Sequence, residues 1–200
     1  MRRFERVVRV LACVLLVAAW SDSQAQALQV PAADGWYSWE VEASEAGQSS
    51  CCFRWQAGGG RAGCDLDDRR GGFNVSEDCV LDSTRLTLYV RMRDGRPDRA
   101  RALSADCPVN AETDVASLGQ VATDSSVEWL HRQVNDEQRL TSELVAAISM
   151  HAGATAFRAL TSLLEDRDRP MKTREAALFW LAQSDTDEAY EYFDRLLSRR

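Results

Sequence analysis

The sequence predicts an α+β protein, with a small antiparallel β domain stapled by disulfides and then a short α-solenoid of helical hairpins. Three observations lead there. Short aromatic and alternating runs dominate to about residue 122, and amphipathic helical patterns take over from residue 123. Every cysteine after the leader lies in the first of these two parts.

The leader comes first. Arg2, Arg3, Arg6 and Arg9 form a positive cluster, and Val10 to Trp20 is an uninterrupted apolar run. After the polar break Ser21 to Gln24, Ala25-Gln26-Ala27 places small residues at the −3 and −1 positions of a cleavage site. That order of parts is a secretory signal peptide. The apolar run is shorter than the roughly 20 residues that span a bilayer, and Cys13 lies inside it rather than at its end, which argues against lipidation. Residues 1–27 are therefore expected to be removed, and the mature protein to be periplasmic or secreted.

Cleavage leaves 20 basic and 29 acidic residues, a formal charge of −9. Such a surface repels nucleic acid and anionic lipid, so neither a nucleic-acid partner nor stable membrane insertion is expected. Lys172 is the sole lysine among the basic residues, a bias that points to a GC-rich bacterial genome.

Residues 28–122 read as the β domain. Trp36 to Val41 and Ser50 to Trp55 are aromatic-rich runs bounded by glycine and polar clusters, the marks of strands. In Thr84 to Met92, Leu86, Leu88 and Val90 alternate with Arg85, Thr87, Tyr89 and Arg91. Asp94-Gly95 supplies a hairpin turn, with Arg99 to Ala105 returning and Val115 to Val121 as a further strand. A domain this small has a modest core, which disulfides can reinforce. The candidates are Cys51, Cys52, Cys64, Cys79 and Cys107. Their clustering fits an oxidising compartment, and their odd number leaves at least one thiol free or paired with another molecule. Cys51 and Cys52 are adjacent, so on a strand they face opposite ways and seek different partners. No C-x-x-C pair occurs and neither His131 nor His151 lies near the cysteines, so no metal is expected.

Residues 123–200 read as helices. Ser125-Ser126-Val127-Glu128 has the form of a capping box ahead of Trp129, Leu130 and Val134. Leu140, Leu144, Val145 and Ile148 mark a second helix, and Ala156, Phe157, Leu160, Leu163 and Leu164 a third. Pro170 resets the chain before a fourth around Ala177, Leu178 and Leu181, and Asp185 to Glu188 caps a fifth. A gapless shift of 33 residues lays Val145 on Leu178, Ile148 on Leu181, Ala156 on Ala189, Phe157 on Tyr190 and Leu160 on Phe193. It also lays Leu163-Leu164 on Leu196-Leu197. The repeating unit is a helical hairpin.

The stretch Arg174 to Ser184 (REAALFWLAQS), followed by Asp187-Glu188-Ala189, resembles a HEAT-type repeat, as does the unit ending in Leu163-Leu164-Glu165. With its Phe179-Trp180 pair and the following Gln183, this form is similar to exported bacterial HEAT-repeat proteins. Some of those carry a cysteine-pair β segment ahead of the helices, as Cys51-Cys52 and Cys64-Asp65-Leu66 do here, and an aspartate-cysteine like Asp106-Cys107. Cys79 departs from that pattern, and two repeats are fewer than relatives carry. The resemblance implies protein binding along a curved surface and no enzyme activity.

Other chemistry is weak. Gly58, Gly60 and Gly63 match G-x-G-x-x-G, but the acidic Cys64 to Asp68 follows where a phosphate-binding helix would begin. A hairpin loop is expected there. Asp65, Asp67 and Asp68 suggest a calcium loop, yet Arg69 stands at a ligand position; a solvated turn is expected. His131 precedes Arg132 and His151 precedes Ala152, so the histidine-glutamate pairs of iron-binding HEAT-like enzymes are missing, and both histidines read as structural. Trp36 and Trp39 would face opposite sides of one strand, which leaves at most one of them beside Trp55 in a sugar-stacking face. No catalytic residue and no cofactor is expected. The expected function is a non-enzymatic periplasmic adaptor binding a protein partner. Thiol-redox sensing through an unpaired cysteine and a glycan-binding β module are the alternatives. Two repeats bury little surface, so the helices should dock on the β domain, form a dimer, or lean on the helix near Ser125.

Overall fold

The computed structural model describes residues 27–198 apart from 52, 57–58, 69–82 and 136. The expected signal, except Ala27, lies outside the described residues, as do Cys52 and Cys79. In chain order the elements are β1 (Gly35–Glu42), α1 (Glu45–Gln48), β2 (Phe53–Gln56), β3 (Gly59–Ala62), β4 (Cys64–Asp65), β5 (Arg85–Arg93), β6 (Arg96–Ser104), β7 (Val109–Asn110) and β8 (Val115–Gln120). The helices α2 (Thr123–Gln133), α3 (Gln138–Ser149), α4 (Ala154–Glu165), α5 (Met171–Ala182) and α6 (Asp187–Ser198) follow.

Four strands form one sheet in the order β6-β5-β1-β8. The hairpin of β5 and β6 turns on Asp94 and Gly95, both with positive φ (52° and 73°). That is the primed turn whose twist suits two paired strands. Alternation then divides the side chains. Trp39, Val41, Leu86, Leu88, Val90, Ala100 and Ala102 join the core shared with the helices. Trp36, Leu103 and Tyr89 face a second, smaller core with Cys51, Cys64, Leu66 and Cys107. The molecule is thus layered, with helices on one side of the sheet and a cysteine-bearing layer on the other.

The sheet is mixed rather than antiparallel, since β8 runs parallel to β1. The reason lies in the return path. After β6, at one edge, the chain crosses the cysteine layer, where β7 pairs with β4, and enters the opposite edge beside β1. A crossover of this kind delivers a parallel strand, where a hairpin would deliver an antiparallel one. Phe53–Gln56 and Gly59–Ala62 form a separate two-stranded hairpin, with Gly59 and Gly60 in its second strand.

The 33-residue repeat reappears in the helix boundaries. Adding 33 to the ends of α3 gives the ends of α5, and adding 33 to those of α4 gives those of α6. The first hairpin, α3 with α4, lies between the sheet and the second hairpin, α5 with α6. Leu140, Leu144, Ile148 and Leu163 are fully buried in it, and each such side chain contributes about 1.5–3 kcal/mol by leaving water.

The capping box is used differently from its sequence form. Helix α2 begins at Thr123 behind Ala122 with no side-chain cap, and Ser125 and Ser126 are buried inside its first turn. Ser126 is drawn inward because its hydroxyl has two buried partners. It accepts the Trp39 indole N–H (2.7 Å) and meets His151 Nε2 (2.8 Å). Replacing Ser126 with alanine strands both groups in the core. The expected cost is about 1–3 kcal/mol, read as a lower urea midpoint with an unchanged slope.

Candidate functional site

The buried chain through Ser126 can be oriented donor by donor. His151 Nδ1 lies 2.8 Å from the Ala147 carbonyl. A carbonyl only accepts, so Nδ1 carries the proton and Nε2 is left to accept the Ser126 hydroxyl. Trp39 N–H then completes the series. Trp39 also meets Trp129 of α2 edge-on, with centroids 5.6 Å apart at 76°. Burial holds His151 far below its usual range, at about 4, outweighing the Ala147 and Ile148 backbone groups that favour protonation. The backbone reinforces this junction. Ser44 N–H donates to the Met150 carbonyl and Ala152 N–H to the Glu42 carbonyl. Gly47 of α1 lies so close that a Cβ there would stand 2.5 Å from the Met150 carbonyl oxygen, and only glycine fits. His151 is therefore a structural hub, buried and hydrogen-bonded at both ring nitrogens. His131 is half-buried with Nε2 unpartnered among the described residues, and burial and Arg169 lower its pKa.

A carboxylate closes the sheet edge. Glu143 of α3 accepts the Ala100 N–H of edge strand β6 (2.8 Å) and the Arg101 guanidinium (2.7 Å). Arg99 and Arg101 are both buried and donate to the Asp67 and Asp68 carbonyls. An exposed edge N–H is thus covered, and α3, β6 and the cysteine layer are tied at one corner.

Asp67 does not sit in a solvated turn. Its carboxylate accepts the Trp36 indole N–H (3.1 Å), Arg91 Nη1 (3.2 Å) and the Glu112 N–H (2.8 Å). Arg91 also lies over the Trp36 ring, 5.5 Å from its centroid, and forks onto both oxygens of Asp98. Burial alone would raise the pKa of Asp67, but the Glu112, Trp36 and Arg91 donors outweigh it and hold the carboxyl below its ordinary value. These groups lock the loop that carries Cys64. Cys51 and Cys107 form a disulfide closing a separation of 56 residues. Cys64 is also disulfide-bonded. Trp36 and Trp39 are buried in opposite cores, so neither offers a sugar-stacking face; the Trp55 side chain lies outside the described set. Among the described residues no group of three His, Cys, Asp or Glu side chains is placed to hold a metal.

The feature that sequence reading passed over is the outer face of the second hairpin. Repeat-equivalent positions at the seam within each hairpin are buried in both copies: Ile148 with Leu181, and Ala156 with Ala189. Others diverge. Val145 and Leu163 are buried, whereas their counterparts Leu178 and Leu196 are 40% and 50% exposed. Tyr190 and Leu197 reach 77% and 70%. Among the described residues the first hairpin has a neighbour on each side, and the second has one on its inner side. Comparison with known proteins finds no matching family model, no similar curated protein and no similar solved structure.

The neutral His151 makes stability depend on pH in a defined window. Its folded pKa is depressed, so the unfolded chain binds a proton first, and stability falls as pH drops from about 6.5 toward about 4. The loss expected across that window is about 3 kcal/mol. Urea unfolding of the wild type and of His151→Gln at several pH values checks it: the wild-type slope should be largely absent in the variant.

Proposed function

We propose that the protein is a non-enzymatic adaptor of the bacterial periplasm, a short HEAT-like array anchored on a disulfide-bearing sheet. Its second hairpin receives a helical element of a partner protein. The observation that carries this reading is the exposed apolar face of α5 and α6. In solenoid arrays each unit covers the face of the one before it, and terminal units are normally polar on the outside. Here Leu178, Tyr190, Leu196 and Leu197 stand open at positions whose first-repeat counterparts, Val145, Phe157, Leu163 and Leu164, are buried or half-buried. Among the described residues no helical hairpin covers this face, and exposed apolar surface gathered on one face marks interaction sites.

The partner's chemistry follows from the same equivalence. The second hairpin packs on the first through Phe157 against Tyr192, edge-on at 6.1 Å, and through Arg174 Nε on the Leu164 carbonyl. A partner helix with apolar side chains on one face reproduces that contact one step further along. Export and signal cleavage are part of the reading, supported by the leader sequence and by the disulfides at Cys51, Cys107 and Cys64.

The test is capture from periplasmic extract with the mature protein and with Tyr190→Glu/Leu197→Glu. Both positions are exposed, so the variant should unfold at the wild-type urea midpoint within about 0.5 kcal/mol. The reading expects a specific partner that the variant loses. Capture that survives the double substitution contradicts it.

A further inference from the structure

A groove of about 550 Å³ opens where α1, the turn after α3 and the ends of α4, α5 and α6 meet. Its floor is apolar. Ala156, Leu160 and Leu181 are buried, and the half-buried Phe157 and Trp180 add aromatic surface. Its polar lining includes three carboxylates from two regions of the chain, Glu45 and the pair Asp185 and Glu188, and no lysine or arginine lines it. None of the three is in an ion pair among the described residues. None of the exposed residues Leu178, Tyr190, Leu196 and Leu197 lines the groove, so it is a place apart from that apolar face.

We propose that this groove is a second recognition site, which binds an extended polypeptide segment carrying a basic residue beside an apolar one. The volume lies within the roughly 300–1,000 Å³ of ordinary ligand sites. A lysine or arginine has an apolar stem that lies along aliphatic and aromatic surface and a charged head that stays at the wet rim. Phe157 and Trp180 suit the stem, and the carboxylates suit the head, where charge-assisted hydrogen bonds are the strong ones. His151, which lines the same wall, is neutral at neutral pH and adds no opposing charge. A polypeptide is favoured over a small cation by a third feature. Helix α4 starts behind Gly153, which has φ 91° and no capping side chain. Ala154 and Ala156 of its first turn line the groove. The N–H groups of a first turn have no acceptor within the helix, and the backbone carbonyls of a bound segment can supply one.

The direct test uses a fluorescein-labelled, end-capped hexapeptide of alternating leucine and arginine, and its leucine–glutamate counterpart, titrated with the disulfide-intact mature protein and followed by anisotropy. The leucine–arginine peptide should bind saturably, at least tenfold more tightly than its counterpart, and weaken as salt rises from about 50 to 500 mM. Asp185→Lys/Glu188→Lys should weaken it at least tenfold and narrow or reverse the preference between the peptides. Glu45→Lys, on a different element, should act in the same direction, which separates groove charge from local damage to α6. Equal affinity for the two peptides, absence of saturable binding, or indifference to both charge reversals overturns the proposal. Those outcomes are read on the peptides alone, whereas the adaptor reading is decided by the Tyr190/Leu197 variant, so the failure of either is distinguishable from the other.

Discussion

The chain of hydrogen bonds from Trp39 through Ser126 and His151 to the Ala147 carbonyl is the constraint on which the rest depends. It joins the sheet to α2 and to the end of α3, and it does so among side chains that exclude water. Each donor in the chain meets an acceptor only if His151 is neutral with its proton on Nδ1. A buried polar group left unpaired costs more than a paired one contributes, so this junction is specific as well as stabilising. Register between helices and sheet cannot slip without stranding an indole or an imidazole.

From that junction the architecture follows outward. The first helical hairpin and the sheet bury their apolar faces in one shared core. Glu143 secures the same contact at the sheet edge, and the Arg91–Asp67–Trp36 cluster fixes the disulfide-bearing layer on the far face. One side of the hairpin array is thereby occupied by the sheet. The opposite side, on α5 and α6, is where recognition can occur, and it is there that the apolar surface is left open. The anchoring and the proposed adaptor role are two consequences of one arrangement.

Much of this was legible in the sequence where local pattern and final environment agree. Alternation in Thr84 to Met92 correctly assigned faces, because a strand between two cores obeys a period of two on both sides. Asp94-Gly95 correctly marked a turn, because few residue pairs accept positive φ twice. The 33-residue shift anticipated helix boundaries, since repeated packing requires repeated spacing. The failures were long-range. Ser125 to Glu128 carried a capping pattern, but burial diverted Ser126 to partners 87 and 25 residues away. The parallel β8 depends on where a crossover lands. Asp67 reads as a loop acid until Trp36, Arg91 and Glu112 fold around it. The open face of α6 was invisible because Leu196 and Leu197 match Leu163 and Leu164 in type and differ only in what covers them.

Native-state hydrogen exchange tests the central claim, that sheet and first hairpin form one cooperative unit held at the His151 junction. Amides of β1, β5 and α3 should share a single, highest opening free energy, with α6 opening at lower cost. If α3 exchanges through a low-energy opening while β1 and β5 remain protected, the helices are an independent appendage and the account is wrong.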